Sequence, residues 1–346
     1  MLLKKLTEAM GPSGFENEIR NLVRAEIEGS VDKQYTDVLG TLIAEKNIST
    51  RGPRVMLDAH MDEVGLMIVH VEDNGLLRFR PVGGVDPRVL VSKPVLIGAG
   101  EDGEVRHFGV IGSKPIHLQS PDERKHPLKI EQLYIDIGAK DKEDALTVVQ
   151  PGDVAMFTTK FGEIGDNCAK GKSFDDRIGC AIVIETLKKS WNLPIYGVFS
   201  VQEEIGLRGA TAAAYRIQPD IAISLEGTVC FDVVGAPGHG ESTVLGKGPA
   251  LTVQDGRTLA DVRFRDFMID VAEKNNIPYQ LRRVKGGSNN FGAIHQSREG
   301  VIGGAISVPV RYIHAPAQIV SLDDYQNSIR LLHAVLTEIE QGGFTL

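Results

Sequence analysis

Leu2, Leu3 and Leu6 recur at helical spacing among lysines and glutamates, and Gly11, Pro12 and Gly14 interrupt that pattern before a second amphipathic run, FENEIRNLVRAEIEG. The chain therefore opens with helices. A short extended pair follows around YTDVLGTLIAEK, and the apolar run RVMLDA reads as a buried strand with His60 at its carboxyl end. From about Gly65 to Gly165 the texture changes to short β-branched runs broken by glycine and proline (LMIVHV, LLRFRPVGG, PVLIGAG, HFGVIG, LYIDIGA and DVAMFTT), which predict a small all-β unit. Helices and strands then alternate: FDDRIGCAIVIETLKKS, IYGVFSV, ATAAAYRI and DIAISLE, and later RFRDFMIDVAEKNN, GAISVPV and DDYQNSIRLLHAVLTEIEQG. The economical organisation is one α/β domain, residues 1–65 and 166–346, interrupted by an inserted β domain over 66–165.

A length of 346 residues agrees with two domains at about 150 residues each, and 42% hydrophobic content is enough for a sizeable core. The 38 basic and 46 acidic residues leave a formal charge of -8, which offers no electrostatic footprint for nucleic acid or an anionic membrane. Neither partner is expected. Cys168, Cys180 and Cys230 form no short-spaced pair and suit a reducing compartment, so the expected location is the cytoplasm. The amino-terminal residues have no apolar stretch of signal-peptide length, and no run of about 18 apolar residues occurs in the chain.

Ligands of open α/β sheets gather outside the carboxyl ends of the strands, so polar residues just past apolar runs carry the first candidate chemistry. His60 and Asp62 follow RVMLDA, Glu203 and Glu204 follow YGVFSV, Glu226 ends DIAISLE, and His314 comes shortly after GAISVPV. Asp175 stands at the amino terminus of the helix after the inserted domain. Each alone has a plain structural explanation, such as a helix cap for Asp175 or solvated loop charge for Glu203 and Glu204. Together, histidines and carboxylates on one sheet edge would repel or go unsatisfied without cations between them. Two divalent ions about 3.5–4 Å apart would explain the whole set, and mixed nitrogen and oxygen ligands fit zinc, cobalt or manganese. One carboxylate must stay off the metals to take a proton from the attacking water, a division that adjacent Glu203 and Glu204 can supply.

At these residues the chain resembles the cytosolic dinuclear metallo-aminopeptidases, which include glutamyl, deblocking and tetrahedral aminopeptidases. The likeness runs nearly end to end through LLKKLTEAMGPSGFENEIR, LDAHMDEVGLMI, GVIGSKPIHLQSPDERKHP, SFDDRIGCA, FSVQEEIGLRGA and VPVRYIHAP. It implies a phosphorylase/hydrolase-like catalytic domain, with a mixed sheet flanked by helices, and an inserted PDZ-like all-β domain. It further implies that His60, Asp175 and Glu226 bind one metal and Asp175, Glu204 and His314 the other, with Glu203 as general base and Asp62 orienting His60. Asp175 is preferred to Asp176 because the family often has Asn at the second place. Peptides are then the substrates, and self-assembly through the insertion gives a dodecamer built from dimers. Glu226 and Asn289 stand where many relatives have Asp.

Other residues read as structural. His107, His117 and His126 lie away from the strand ends, Gly83 and Gly84 read as turn residues, and Cys168 and Cys180 as small packing residues. GAPGHGES, with Gly235, Gly238 and Gly240, lacks the spacing and ending of a phosphate loop. A rival reading is a glycoside hydrolase, since some relatives carry an endoglucanase label and paired carboxylates serve that chemistry too, but Trp191 is the only tryptophan available for a sugar platform. A third is a non-catalytic peptide-binding assembly protein, against which the intact ligand set and Glu203 argue.

Overall fold

The four most apolar runs of the α/β segments line up as adjacent parallel strands. Ile195–Ser200, Val55–His60, Ile221–Val229 and Ile302–Arg311 pair in that order, and Val55–His60 is buried along its whole length. Strands covered on both faces need no polar side, so they read as continuous apolar runs. They form the middle of an eleven-stranded mixed sheet in a computed structural model that describes residues 1–100, 104–236, 243–283 and 286–346. The antiparallel pair Lys33–Thr36 and Leu42–Lys46 closes one edge. At the other edge Gln318–Ser321, Cys168–Gly171 and Gly162–Ile164 continue the sheet antiparallel. Gly162–Ile164 thus pairs in the large sheet although it falls within the segment assigned to the insertion.

One face of the sheet is covered by helices Leu2–Glu8, Asn17–Ile27, Phe174–Leu187, Val262–Lys274 and Leu322–Glu340, whose apolar sides join the largest core. Helices Arg208–Ile217 and Phe291–Ile294 cover the opposite face, around Met56, Val198, Ala222 and Ala305. Among the described residues no helix is long and apolar enough to cross a membrane, and Cys168, Cys180 and Cys230 are unpaired.

The six short runs of the middle segment close into a barrel in the order Gly65–Val71, Leu77–Val82, Leu133–Asp136, His107–Ser113, Pro94–Gly98 and Val154–Phe157. Leu66, Ile68, Leu77, Val95, Ile97, Ile111 and Ile135 fill it. The first barrel strand starts five residues after His60, so the carboxyl end of a central strand leads directly into the barrel. Short strands such as Ala250–Gln254, Gln280–Arg283 and Gln318–Ser321 are too brief to show a repeat that can be read from sequence alone.

Candidate metal centre and cleft

All five residues implied as ligands, with Glu203, line one cleft of about 810 Å³ at the carboxyl ends of the parallel strands. His60 is the last residue of its strand, Glu226 sits within the neighbouring strand, and Glu203 and Glu204 follow Ile195–Ser200. His314 lies in the turn after Ile302–Arg311, and Asp175 in the first turn of Phe174–Leu187. Several backbone residues at this edge are left-handed, among them Ser173 (φ 55°), Gln202 (φ 57°), Leu207 (φ 57°), Tyr312 (φ 60°) and His314 (φ 59°). Side chains with a Cβ hold that conformation only where their surroundings over-determine it, and such positions cluster at functional sites.

The two oxygens of Asp175 face different histidines. Oδ1 lies 3.3 Å from Nε2 of His60, and Oδ2 lies 3.2 Å from Nε2 of His314. Glu226 Oε2 is 3.6 Å from His60 Nε2, and Glu204 Oε1 is 3.3 Å from His314 Nε2. Glu203 stands farther back, 3.9 Å from His60. Each histidine is held from behind: His60 Nδ1 lies 3.1 Å from the Asp62 carbonyl, and His314 Nδ1 lies 3.0 Å from the Gly84 carbonyl. A carbonyl can only accept, so both Nδ1 atoms donate and both Nε2 atoms turn a lone pair toward carboxylate oxygens unless protonated. Lone pairs and carboxylates facing one another call for a proton or a cation. Glu204 Oε1, buried and without a hydrogen-bond partner, adds to that demand.

The electrostatics tell the same story. Burial pushes the Glu203 carboxyl up to about 7, against the opposing charge of His60, with Asp175 adding to the rise. Burial also drives Glu204 and Glu226 well above the usual carboxylate range. At Asp175 burial opposes ionisation, but hydrogen bonds from His314 and His60 outweigh it and hold the carboxyl low. Burial would lower His314, yet Asp175 and Glu204 raise it to about 9. Ionising all four carboxyls would leave negative charge in excess of the two histidines, so without cations the cluster holds protons, and divalent ions would take the place of those protons. The donor set of imidazole nitrogens and carboxylate oxygens fits zinc, cobalt or manganese. His60, Asp175 and Glu204 bring ligand atoms within 4.8 Å of one another, as do His60, Asp176 and Glu226.

Asp176 has other duties: Oδ2 accepts from the His60 amide at 3.2 Å, and Oδ1 accepts from Gly179 at 2.9 Å, capping the regular part of the helix. Asp62 is fully buried behind the cleft. Its carboxylate accepts from the Glu203 and Glu204 amides at 3.0 and 3.1 Å and from the Ser13 hydroxyl at 2.6 Å, while Oδ1 also lies 3.4 Å from His60 Nδ1. Asn289 does not line the cleft; its side chain accepts from Phe291, and the next residue, Asn290, donates its amide to Glu226 Oε1 at 3.0 Å. Reading Gly83 and Gly84 as plain turn residues requires correction. Gly84 reaches from the barrel to hold His314, and a Cβ at Gly83 would come within 3.2 Å of Glu204 Cβ. Cys180 is buried, with its thiol directed at the His60 carbonyl 3.2 Å away. His107, His117 and His126 are not among the cleft residues. Gly238 and Gly240 lie outside the described residues.

Sequence did not single out Glu16, Ser13 or Asn290, whose roles depend on contacts between distant segments, and weighed Asp176 only as an alternative to Asp175. The far wall of the cleft brings in Thr228, Phe231, Arg257 and Arg282, the last paired with Asp255 at 2.9 Å.

An α/β sheet with this cluster at its carboxyl edge makes a candidate metal centre of the kind hydrolases use. The particular family follows from comparison: the sequence model described as M42 glutamyl aminopeptidase matches residues 40–331, and the chain belongs to that family and with it to the aminopeptidases. The lysyl aminopeptidase of Pyrococcus furiosus is 33% identical over 354 residues, covering 99% of this chain and 98% of its own. An aminopeptidase structure from Desulfurococcus kamchatkensis is 36% identical, with a TM-score of 0.92 over 100% of this chain and 97% of that one. The TET1 peptidase of Pyrococcus horikoshii, described as able to assemble into a tetrahedron or a large octahedral shell, is 33% identical, with a TM-score of 0.85 over 96% of this chain and 98% of its own.

Proposed function

We propose that this chain removes amino-terminal residues from peptides, using two divalent ions that share Asp175. The observation that carries the reading is the division of the Asp175 oxygens between His60 and His314. His60, Asp175 and Glu226 would hold one ion, and Asp175, Glu204 and His314 the other. When bound, the pair supplies an acidified water and Lewis-acid polarisation of the scissile carbonyl. Glu203, the carboxylate set back from the histidines, takes the proton from that water and delivers it to the departing amine. Asp62 keeps His60 and the Glu203–Glu204 backbone in register, and the Gly84 carbonyl does the same for His314.

The catalytic unit is proposed as residues 1–65 and 166–346, with 66–165 as the assembly domain, although the last strand of that segment, Gly162–Ile164, pairs in the catalytic sheet. The barrel turns Phe108, Val110, Ile116 and Leu118 outward, between 50% and 72% exposed, an apolar surface suited to a second copy. A dimer along each edge of a tetrahedron gives a dodecamer, the arrangement proposed here on the likeness to the tetrahedral relative. The cleft lining argues against the glycoside hydrolase alternative, because Phe231 is the lone phenylalanine, tyrosine or tryptophan among the described cleft residues.

The test is a panel of amino-acid chromogenic amides and short peptides, with free or acetylated amino termini, assayed with zinc, cobalt and manganese. Metal-dependent release of the first residue from free-amine substrates is expected. Equal cleavage of acetylated peptides at internal bonds, or hydrolysis of carboxymethyl cellulose, would sink the proposal.

A further inference from the structure

Glu16 occupies the cap position at the start of helix Asn17–Ile27, yet its side chain makes no capping bond to that helix. Its carboxylate turns instead to the loop that bears the proposed base. Glu16 Oε1 accepts from the Gly14 amide at 2.7 Å and from the Gln202 amide at 3.2 Å. Asp62 accepts from the next two amides, Glu203 and Glu204. Three consecutive backbone N–H groups are therefore gripped by two buried carboxylates, and the first belongs to a residue in left-handed backbone.

Ser13 joins the two grips, since its hydroxyl donates to Asp62 Oδ2 at 2.6 Å. The segment supplying Ser13 and Glu16 is itself fixed: Gly11 donates to Glu63 at 3.1 Å, and Glu63 is held by Lys172 and Arg177 in a fully buried ion network. The Gly11–Glu16 segment thus ties the amino-terminal helices to the backbone that aims Glu203.

We infer that Glu16, assisted by Ser13, is a positioning residue for the hydrolytic step, fixing the backbone at Gln202 so that the adjacent Glu203 meets the water. This rests on the aminopeptidase reading above. Neither residue lines the cleft, so each acts through the loop. Displacing a reacting group by about 1 Å costs about 10²-fold in rate, so loss of one grip has a measurable kinetic price.

The experiment compares Glu16→Ala, Glu16→Gln and Ser13→Ala in the full-length protein, reading kcat, KM, bound metal by elemental analysis, and amide hydrogen exchange at Gln202–Glu204. Glu16→Ala should lower kcat by about 10²-fold with KM and metal content little changed, and should accelerate exchange at those amides. Glu16→Gln should restore most of both, because an amide oxygen accepts the same two bonds. Ser13→Ala should lose about tenfold in kcat, at the lower end for partners that orient a site from behind. Wild-type kcat and unchanged exchange in Glu16→Ala would overturn the inference, as would a loss that follows metal content or KM. If Glu16→Ala does not fold, Ser13→Ala decides, and unchanged kcat there overturns it. Exchange is read without substrate, so failure of the wild-type protein to cleave peptides would sink the proposed function separately from the clamp.

Discussion

From Leu66 to Phe157 every buried side chain among the described residues is apolar, whereas the sheet unit buries Asp58, His60, Asp62, Glu63, Lys172, Asp175, Asp176, Arg177, Glu226 and Arg282. The barrel closes its strands around Leu66, Ile97, Ile111 and Ile135 and leaves its polar groups to solvent. Its stability needs only packing and backbone pairing. The sheet unit places charge where burial is unfavourable and recovers the cost by pairing, hydrogen bonding and, on the proposed function, by binding cations. Violations of local folding rules collect where chemistry is done, and the barrel enters that chemistry through a backbone group, the Gly84 carbonyl on His314.

The contrast breaks most visibly at Glu203. Glu203→Gln preserves volume and leaves the five ligand residues in place, so both ions should stay bound while kcat falls by about 10²- to 10⁴-fold, the range for loss of a general base. Near wild-type turnover with full metal content would remove Glu203 from the proposed role. Chelation comes next. Without cations the facing carboxylates of the cleft must protonate or repel, so metal-free protein should melt at a lower temperature, and ligand linkage adds about 2.7 kcal/mol when free metal reaches about 100 times its Kd. Elemental analysis of active protein should give about two ions per chain, as the shared Asp175 requires. One ion or none in fully active enzyme is incompatible with that bridge.

A smaller and opposite signature belongs to the barrel. Ile97 is fully buried in its core, and Ile97→Ala should destabilise by about 2–5 kcal/mol through lost transfer and a residual cavity. Metal stoichiometry and the kcat of the folded fraction should stay as in the parent. Loss of metal in this variant at temperatures where it remains folded would mean that the two regions are energetically fused rather than merely joined at Gly84.

Much of this division could be read from sequence because the patterns are strong and local. VMLDAH and AISLEG are buried parallel strands, and their periodicity delivers His60 and Glu226 to the same edge. The short β runs from Gly65 onward announced a separate unit, whose closure into a barrel depends on pairings that periodicity does not specify. What stayed hidden was contact across the chain. Glu16 meets Gln202 across 186 residues, and Gly84 meets His314 across 230. A glutamate before a helix reads as a cap and a glycine pair reads as a turn, so neither carries a local signal of where its polar atoms will finish. Resemblance to relatives reached the cleft residues more readily than the groups that hold them from behind.

The smallest predicted effect lies far from the cleft, at His333 on helix Leu322–Glu340. Thr186 Oγ1 donates to the Ile182 carbonyl at 2.7 Å, so its lone pair is left to accept from His333 Nε2 at 3.1 Å. Lys189 approaches His333 Nδ1 at 3.3 Å and, as an ammonium, can only donate. The neutral ring therefore has both nitrogens satisfied, and it packs edge-on to Trp191 with centroids 5.5 Å apart. Burial, aided by the Lys189 charge, lowers its pKa from 6.5 to about 4. Between those values the unfolded chain binds more protons than the folded one, so this stabilising contribution is present above pH 6.5 and is lost as the pH falls through about 4. Replacing the ring with a group that does not titrate, as in His333→Gln, should flatten the acid side of a plot of melting temperature against pH within that window and leave metal binding at neutral pH unchanged. Parallel acid slopes for the variant and the parent would show that the loss of stability comes from other groups, with the clustered carboxylates of the sheet unit the first to test.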